Sequence, residues 1–283
     1  MEANSFYHKV RYQILRNSNW KVAVSTFLYK LGYQISRLDP IDRSASLVED
    51  PYHDKREMFA FAKIQQPLIF DVGGNTGQSI RTYRENFSSS PIRSFEPLPK
   101  AYKMMRSAAI ADGNTVPENL ALDSSVGEKS FFSNRGGANQ TSSFFEPGEL
   151  AKHCFDPSGL ELEEVIQVKT NTLDQYCADK GIDRIDLLKL DTQGNELEIM
   201  RGAKGLLSRK GVTMVYCEVM FTECYKSSPL YHDIASFMAE HGLVLFRIYF
   251  ISRGAGGRDV CGDALFVERD FLLKYLDQFT TAH

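Results

Sequence analysis

The sequence has no apolar run of 18 residues, no Cys-x-x-Cys pair and no excess of basic residues. Without such a run, no membrane-spanning helix is expected. The net charge of −3 and the isoelectric point near 6.1 argue against general nucleic-acid binding, which usually requires a basic surface. The first residues also lack the apolar stretch and the small-residue cleavage site of a secretory signal.

Cysteine is sparse, and its spacing is irregular. The five cysteines stand at positions 154, 177, 217, 224 and 261. An odd, scattered set is typical of buried free thiols in a reducing compartment rather than of a disulfide framework. Together with the missing secretory signal, this pattern predicts a cytoplasmic protein.

The chain is nevertheless long and apolar enough to form a large core, with 283 residues of which 43% are hydrophobic. From residue 67 onward, predicted strands and helices alternate, which indicates a doubly wound, Rossmann-like α/β sandwich of three layers. Near the end, two strands follow each other without a helix between them, so we expect an antiparallel hairpin on an otherwise parallel sheet. The predicted domains are an N-terminal helical extension over 1–66 and an α/β domain over 67–283.

Two segments fall outside this alternation. Residues 134–163 are rich in Gly, Ser, Asn and Pro, and a long irregular stretch inside a compact domain is usually functional or disordered, so we predict a substrate or lid loop. Residues 20–33 are amphipathic and mildly basic. They are predicted to pack on the domain or on a second copy of the chain, or else to attach to a membrane surface. A homo-oligomer formed through the N-terminal helices is therefore one expectation.

The stretch 67–77, Pro-Leu-Ile-Phe-Asp-Val-Gly-Gly-Asn-Thr-Gly, predicts a nucleotide-cofactor site. A short apolar strand ends at Asp71, a turn follows with Gly73, Gly74, Asn75 and Gly77, and a helix begins after it. A carboxylate at the strand tip would repel a pyrophosphate and attract an ammonium group. This loop therefore favours S-adenosylmethionine, which carries an amino acid and a sulfonium but no phosphate.

Three further carboxylates fall near predicted strand ends. Glu96 follows the second strand at the distance typical of a residue that accepts hydrogen bonds from ribose hydroxyls, and Pro97 keeps it out of a helix. Asp191 directly follows the predicted strand 185–190. Glu218 lies within an apolar strand, where an unpaired carboxylate is costly. Because the carboxyl ends of parallel strands share one edge of a sheet, these side chains are expected to meet in one cleft.

Two weaker candidates complete the predicted site. Asn119 follows the third strand, where an adenine is expected to lie, so it is a candidate cofactor ligand. His153 lies in the loop 134–163 and is a reserve candidate for a catalytic base, although a lone histidine in a loop is more often structural or merely exposed.

Over roughly residues 67–268, the sequence resembles the FkbM family of class I methyltransferases. The resemblance rests on Asp-Val-Gly-Gly-Asn-Thr-Gly (71–77), Phe-Glu-Pro-Leu-Pro (95–99), Asn-Leu-Ala-Leu (119–122), Thr-Leu-Asp (172–174), the stretch 189–203 and Glu218. It implies a seven-stranded sheet whose last strand is antiparallel, and S-adenosylmethionine-dependent O-methylation of a sugar, glycan or natural-product hydroxyl. By match, Asp71, Gly73 and Gly77 would line the methionine end, and Glu96 the ribose.

A hydroxyl acceptor needs its proton removed as it attacks the methyl group. We predict that Asp191, which also borders the cofactor, orients or deprotonates the hydroxyl and that Glu218 assists. Alternatively, Asp191 and Glu218 could hold a Mg²⁺ ion that acidifies the hydroxyl. The sequence does not distinguish between a general base and a bound metal ion at these two residues.

One position departs from the resemblance, since Gln193 stands where the family usually has Glu. Two rival interpretations follow. The altered residue favours a catalytically silent methyltransferase fold that binds a partner. An NAD(P)-dependent oxidoreductase is the other rival, but Asn75 and Gln78 interrupt the Gly-x-Gly-x-x-Gly pattern that it requires.

Overall fold

The computed structural model describes residues 50–134, 141–155 and 160–280. The α-helices are α1 (Pro51–Phe61), α2 (Gln78–Asn86), α3 (Pro99–Asp112), α4 (Leu173–Lys180), α5 (Glu196–Arg201), α6 (Lys204–Ser208), α7 (Tyr231–Glu240) and α8 (Arg269–Thr280). The strands are β1 (Ile69–Val72), β2 (Ile92–Phe95), β3 (Thr115–Glu118), β4 (Ala121–Leu122), β5 (Gly127–Asn134), β6 (Leu162–Asn171), β7 (Ile185–Leu190), β8 (Val212–Met220), β9 (Leu243–Arg253) and β10 (Asp259–Glu268).

Seven strands form the main sheet in the order β3-β2-β1-β7-β8-β10-β9. Neighbouring strands are parallel from β3 through β8, whereas β10 runs antiparallel to both β8 and β9. The doubly wound sheet with an antiparallel last strand, which the sequence predicted, is thus confirmed. A second, three-stranded sheet in the order β4-β6-β5 was not predicted.

Both faces of the main sheet are buried, which is typical of parallel strands covered by helices. Successive residues of a strand point to opposite faces. Phe70, Leu188, Val215 and Phe266 therefore belong to the core on one face, and Ile69, Leu187, Met214 and Leu265 to the core on the other. Met58 and Phe59 of α1 and Leu272 of α8 pack into the second core.

Local sequence signals explain where several helices begin and end. The Asp50 side chain accepts a hydrogen bond from the Tyr52 N–H, and Pro51 occupies the first turn of α1. Thr172 caps α4 in the same way, and Gly181 ends it in the left-handed conformation at φ 64°. Two short helices, α5 and α6, follow each other directly, with Gly202 and Ala203 between them.

The expectation of free thiols is wrong for two of the cysteines, because Cys154 and Cys224 form a disulfide. They are 70 residues apart in sequence, and the segment 141–155 folds back onto the chain that follows β8, as the Pro147–Tyr225 bridge shows. Spacing along the chain carries no sign of that contact. Cys177, Cys217 and Cys261 are free.

Some predictions concern segments that lie outside the described residues. These are the helices before residue 50, the amphipathic stretch 20–33 and parts of the loop 134–163. The domain boundary at 66/67 stays a prediction, although α1, which precedes it, packs on the sheet. Within the described ranges, no helix is both long enough and apolar enough to cross a membrane.

Candidate active site

A cavity of about 540 Å³ opens at the carboxyl edge of the main sheet. Ligands of doubly wound sheets bind at this edge, near the point where the strand order reverses. In this chain the reversal lies between β1 and β7. The residues that line the cavity include one from each of five neighbouring strands or the turn that follows it, namely Glu96, Gly73, Asp191, Glu218 and Asp263 in sheet order.

The turn after β1, residues 73–77, brings bare backbone to the cavity wall. The N–H groups of Gly73 and Gly74 both donate to the Phe95 carbonyl, at 3.1 and 2.9 Å. Gly73 has φ 79°, and a Cβ added there would lie 1.9 Å from the Asp191 carbonyl oxygen. A Cβ on Gly74 would lie 2.2 Å from Ser94 Oγ. Only glycine fits either position, so this wall has to remain without side chains.

The Asp71 carboxylate is fully buried beneath this turn and does not line the cavity. One oxygen accepts hydrogen bonds from Ser79 Oγ at 2.6 Å and Ser94 Oγ at 2.7 Å, while the other lies 3.1 Å from Lys189 Nζ. The ammonium group of Lys189 thus occupies the place beside Asp71 that the sequence predicted for the ammonium group of the cofactor. This arrangement gives no support to a direct contact between Asp71 and the cofactor.

Lys189 was not predicted from the sequence, yet it links three parts of the site. Its ammonium lies 3.1 Å from Asp71 and 3.5 Å from Asp191, and it donates to the Gly73 carbonyl at 3.0 Å. Burial alone would lower the pKa of Lys189, but the two carboxylates outweigh burial and raise it. The lysine is therefore charged and holds the glycine turn against β7.

Glu96 is buried at the cavity wall, where the ribose contact was predicted. Its two carboxylate oxygens accept the N–H groups of Asn75 at 3.0 Å and Leu98 at 2.8 Å. Burial raises the pKa of Glu96 to about 7, while these two hydrogen bonds oppose the rise. Each oxygen keeps a further lone pair for a ligand hydroxyl.

The two weaker candidates do not reach the cavity. Asn119 is exposed, and its amide donates to the carbonyls of Glu96 at 2.8 Å and Pro97 at 3.0 Å, so it supports the turn that carries Glu96. His153 is exposed on a short 3₁₀ turn, Ala151–His153, and does not line the cavity.

Gln193 joins the two predicted catalytic carboxylates. Its Nε2 donates to Glu218 Oε2 at 2.8 Å and lies 3.4 Å from Asp191 Oδ1. Its Oε1 accepts from the Tyr225 hydroxyl at 2.6 Å, and its backbone carbonyl accepts from Ser143 Oγ at 2.7 Å. The residue that departs from the family pattern therefore fixes Glu218 and connects it to the segment 141–155.

The chemistry of these donors does not fit the magnesium site that was considered. A divalent cation between Asp191 and Glu218 needs oxygen ligands, whereas the Gln193 amide directs N–H groups at both carboxylates. Within the described residues, no cluster of three or more His, Cys, Asp or Glu side chains is arranged to hold a metal ion.

Glu196 has a structural function in the turn before α5. Its carboxylate accepts the N–H groups of Thr192 at 2.7 Å and Gly194 at 3.0 Å, together with the Thr192 hydroxyl at 2.9 Å. This buried carboxylate satisfies two backbone donors of the turn that precedes the helix. It thereby sets the conformation in which Asp191 and Gln193 reach the cavity.

Sequence reasoning missed the far end of the cavity. Tyr52, Tyr216, Phe250 and Asp263 line it, and Asp263 pairs directly with Glu218 across β8 and β10. Asp263 accepts a hydrogen bond from the Tyr216 hydroxyl at 2.7 Å. Asp263, like Glu218, is a carboxylate within a largely apolar strand, and this is the sequence signal that could have identified it.

A family model described as the methyltransferase FkbM domain matches residues 71–245, which is more than half of the chain. The chain is 24% identical over 176 residues to the 2-O-methyltransferase NoeI of Sinorhizobium fredii, covering 60% of this chain and 70% of NoeI. It is 30% identical over 156 residues to the methyltransferase sdnD of Sordaria araneosa, covering 48% and 60%. It is 24% identical over 158 residues to the hexuronic acid methyltransferase AglP of Haloferax volcanii, covering 55% and 56%.

Among solved structures, the crystal structure of Methyltransferase FkbM from Methylobacillus flagellatus matches with a TM-score of 0.46 and 10% identity. The match covers 77% of this chain and 50% of that one. The chain thus spans half the length of that protein and little more than half of sdnD and AglP.

Proposed function

Because the chain belongs to the FkbM methyltransferase family, we propose that it transfers a methyl group from S-adenosylmethionine to a hydroxyl of a sugar-like or natural-product acceptor. Two relatives carry names of this kind, a 2-O-methyltransferase and a hexuronic acid methyltransferase. The observation that carries the proposal is the order of residues along the carboxyl edge of the sheet. Along that edge, Glu96 can accept hydrogen bonds from a ribose, Gly73 belongs to the bare glycine wall, and the carboxylates of Asp191 and Glu218 follow.

The residues present fit this cofactor. Gly73 and Gly74 give the cavity a wall of bare backbone, where a Cβ would collide with Asp191 or Ser94. Among the described residues that line the cavity, the one cation is Lys189, which is engaged by Asp71 and Asp191 rather than free to bind a phosphate. Glu96 would accept the ribose hydroxyls. Beside it, the apolar side chains that line the cavity would enclose the adenine, namely Leu98, Leu120, Leu122, Phe131 and Phe144.

Asp71 contributes to the site by binding other side chains of the protein rather than by contacting the cofactor. Its ion pair with Lys189 and its bonds to Ser79 and Ser94 hold β1, α2, β2 and β7 together under the glycine turn. We therefore assign it the positioning of that turn. Asn75 belongs to the same support, because its N–H donates to Glu96.

When bound, S-adenosylmethionine supplies the methyl group from its sulfonium. The carboxylates of the chain then have to orient the acceptor hydroxyl and take its proton. Burial and, after it, the neighbouring Asp191 and Glu196 charges raise the pKa of Glu218 well above its ordinary value. A carboxylate with a raised pKa accepts a proton more readily, so we assign proton acceptance to Glu218. Asp191, whose side chain is 49% exposed, orients the hydroxyl.

Methyl transfer from radiolabelled S-adenosylmethionine tests the proposal. The full chain is incubated with a panel of glycosides and polyhydroxylated natural products, and the labelled product is hydrolysed to locate the methyl ether. We expect label on an acceptor hydroxyl, with turnover reduced at least 100-fold in Glu218→Gln and in Asp191→Asn. A chain that binds S-adenosylhomocysteine but labels none of the acceptors would instead favour the catalytically silent interpretation.

A further inference from the structure

The end of the cavity that the cofactor assignment leaves free is formed by the last two strands of the sheet. Asp263 on β10 lies opposite Glu218, and Phe250 on the edge strand β9 completes the wall. Both residues lie beyond the proposed proton acceptor, counted away from the glycine turn. This end is therefore the place for the acceptor rather than for the cofactor.

The backbone at Phe250 is held in an unfavourable conformation. Its φ is 50°, a left-handed value that bulky side chains rarely adopt. The register explains how the value arises, since Tyr249 pairs with Asp263 and Ser252 with Cys261, so that residues 250 and 251 together oppose Gly262. This is a β-bulge, a feature that redirects a side chain and is common beside active sites.

The neighbouring residue anchors this bulge. Tyr249 is fully buried, and its hydroxyl donates to Asp54 of α1 at 2.5 Å. Phe250 itself is 55% exposed although it lines the cavity. Burial in the core therefore does not explain why an aromatic residue occupies this strained position. The strained backbone instead holds the Phe250 ring at the mouth of the cavity.

The charged groups that face this end of the cavity are carboxylates. Lys55, whose charge acts on Asp263, is fully buried against the Tyr216 ring and does not line the cavity. Asp263 and Glu218 present carboxylates to the cavity. Among the described residues that line it, Lys189 is the sole cation, and it is paired with Asp71 and Asp191. Such a surface accepts hydrogen bonds from hydroxyl groups and repels carboxylates and phosphates.

We infer that Phe250 and Asp263 form an acceptor subsite for an uncharged sugar ring. The apolar face of the ring packs on Phe250, and hydroxyls of the ring donate to Asp263 while the reacting hydroxyl faces Glu218. This inference rests on the proposed methyl transfer and narrows its acceptor to a neutral glycoside. The carboxylates disfavour a uronate, in contrast to the substrate in the name of AglP.

Saturation-transfer NMR with methyl glycosides of neutral hexoses tests the subsite, in the presence of S-adenosylhomocysteine and with methyl glucuronoside as the anionic comparison. We expect at least one neutral glycoside to bind. The saturation-transfer signal of the glucuronoside should be less than a fifth of the signal of that neutral glycoside. Phe250→Ala should lose at least four-fifths of the neutral signal, whereas Phe250→Trp should keep it. Ile251→Ala is the matched control, because Ile251 is exposed in the same bulge but does not line the cavity.

Phe250→Asn covers the case in which the alanine variant folds poorly. Asparagine tolerates a left-handed backbone conformation. The melting temperature of the Phe250→Asn variant should therefore equal or exceed that of the wild type, while glycoside binding is lost. Equal glycoside signals in the wild type and Phe250→Asn, no binding of any neutral glycoside, or equal binding of the glucuronoside would each overturn the subsite. Calorimetric titration with S-adenosylhomocysteine separates the two proposals, since absent binding refutes the methyltransferase assignment, whereas normal binding confines the failure to the subsite.

Discussion

Replacing Lys189 by Met should destabilise the fold strongly, because it leaves the Asp71 carboxylate buried without its ion partner. Asp71 is fully buried and the Lys189 side chain is only 12% exposed. Removing one partner of a buried pair typically costs about 3–5 kcal/mol. Here Ser79 and Ser94 still donate to Asp71, so we expect a loss at the lower end, about 3 kcal/mol in the free energy of unfolding.

A double-mutant cycle separates the ion pair from other effects of the substitution. Asp71→Asn removes the charge that Lys189→Met leaves unpaired, so the double variant should be more stable than the sum of the two single losses predicts. We expect a coupling of about 2–3 kcal/mol, near the upper end for residues in contact. Urea unfolding followed by circular dichroism measures all four proteins, and equal m-values would show that the denatured states are comparable.

An exposed ion pair on the same chain provides the matched control. Lys226 and Glu146 are 61% and 53% exposed, so Lys226→Met should cost less than about 1 kcal/mol. Additive losses in the cycle, or a cost for Lys189→Met no larger than that for Lys226→Met, would refute the assignment of Asp71 and Lys189 as the support of the glycine turn.

Three further outcomes are expected. The pKa of Glu96 is raised to about 7, chiefly by burial, and its ionised form is the one that we propose accepts the ribose hydroxyls. Calorimetric affinity for S-adenosylhomocysteine should therefore fall as the pH drops from 8 to 6, and Glu96→Gln should flatten that profile. Asp191→Asn and Glu218→Gln should keep S-adenosylhomocysteine affinity within about threefold, since their assigned function is in turnover; a loss of affinity matching the loss of turnover would contradict it. Gly73→Ala should abolish cofactor binding or folding, because its Cβ would lie 1.9 Å from the Asp191 carbonyl at φ 79°, and a variant with normal affinity would disprove the close approach.

The architecture was predictable because it depends on patterns that are local in sequence. Alternating apolar strands and helices predicted the sheet, and the missing helix between β9 and β10 predicted the antiparallel pair. Glu96, Asp191 and Glu218 were found because each carboxylate lies at or near the end of a strand, and parallel strands bring their ends together.

The partners of those carboxylates were not predictable in the same way. A lysine two residues before Asp191 looks like an ordinary strand residue, and only the pairing of β1 with β7 places it beside Asp71. The Cys154–Cys224 disulfide and the hydrogen bond from Tyr225 to Gln193 likewise depend on contacts between distant segments. The strain at Phe250 arises from a register shift, for which the sequence contains no local signal.

A thermal-shift series tests the central claim, that the cavity is an S-adenosylmethionine site, most directly. At 100 times its dissociation constant, S-adenosylhomocysteine should add about 2.7 kcal/mol of stability and raise the melting temperature by several degrees. NAD at the same concentration should leave it unchanged, and Glu96→Ala should reduce the response to S-adenosylhomocysteine. No shift with S-adenosylhomocysteine, or an equal shift with NAD, would contradict the account.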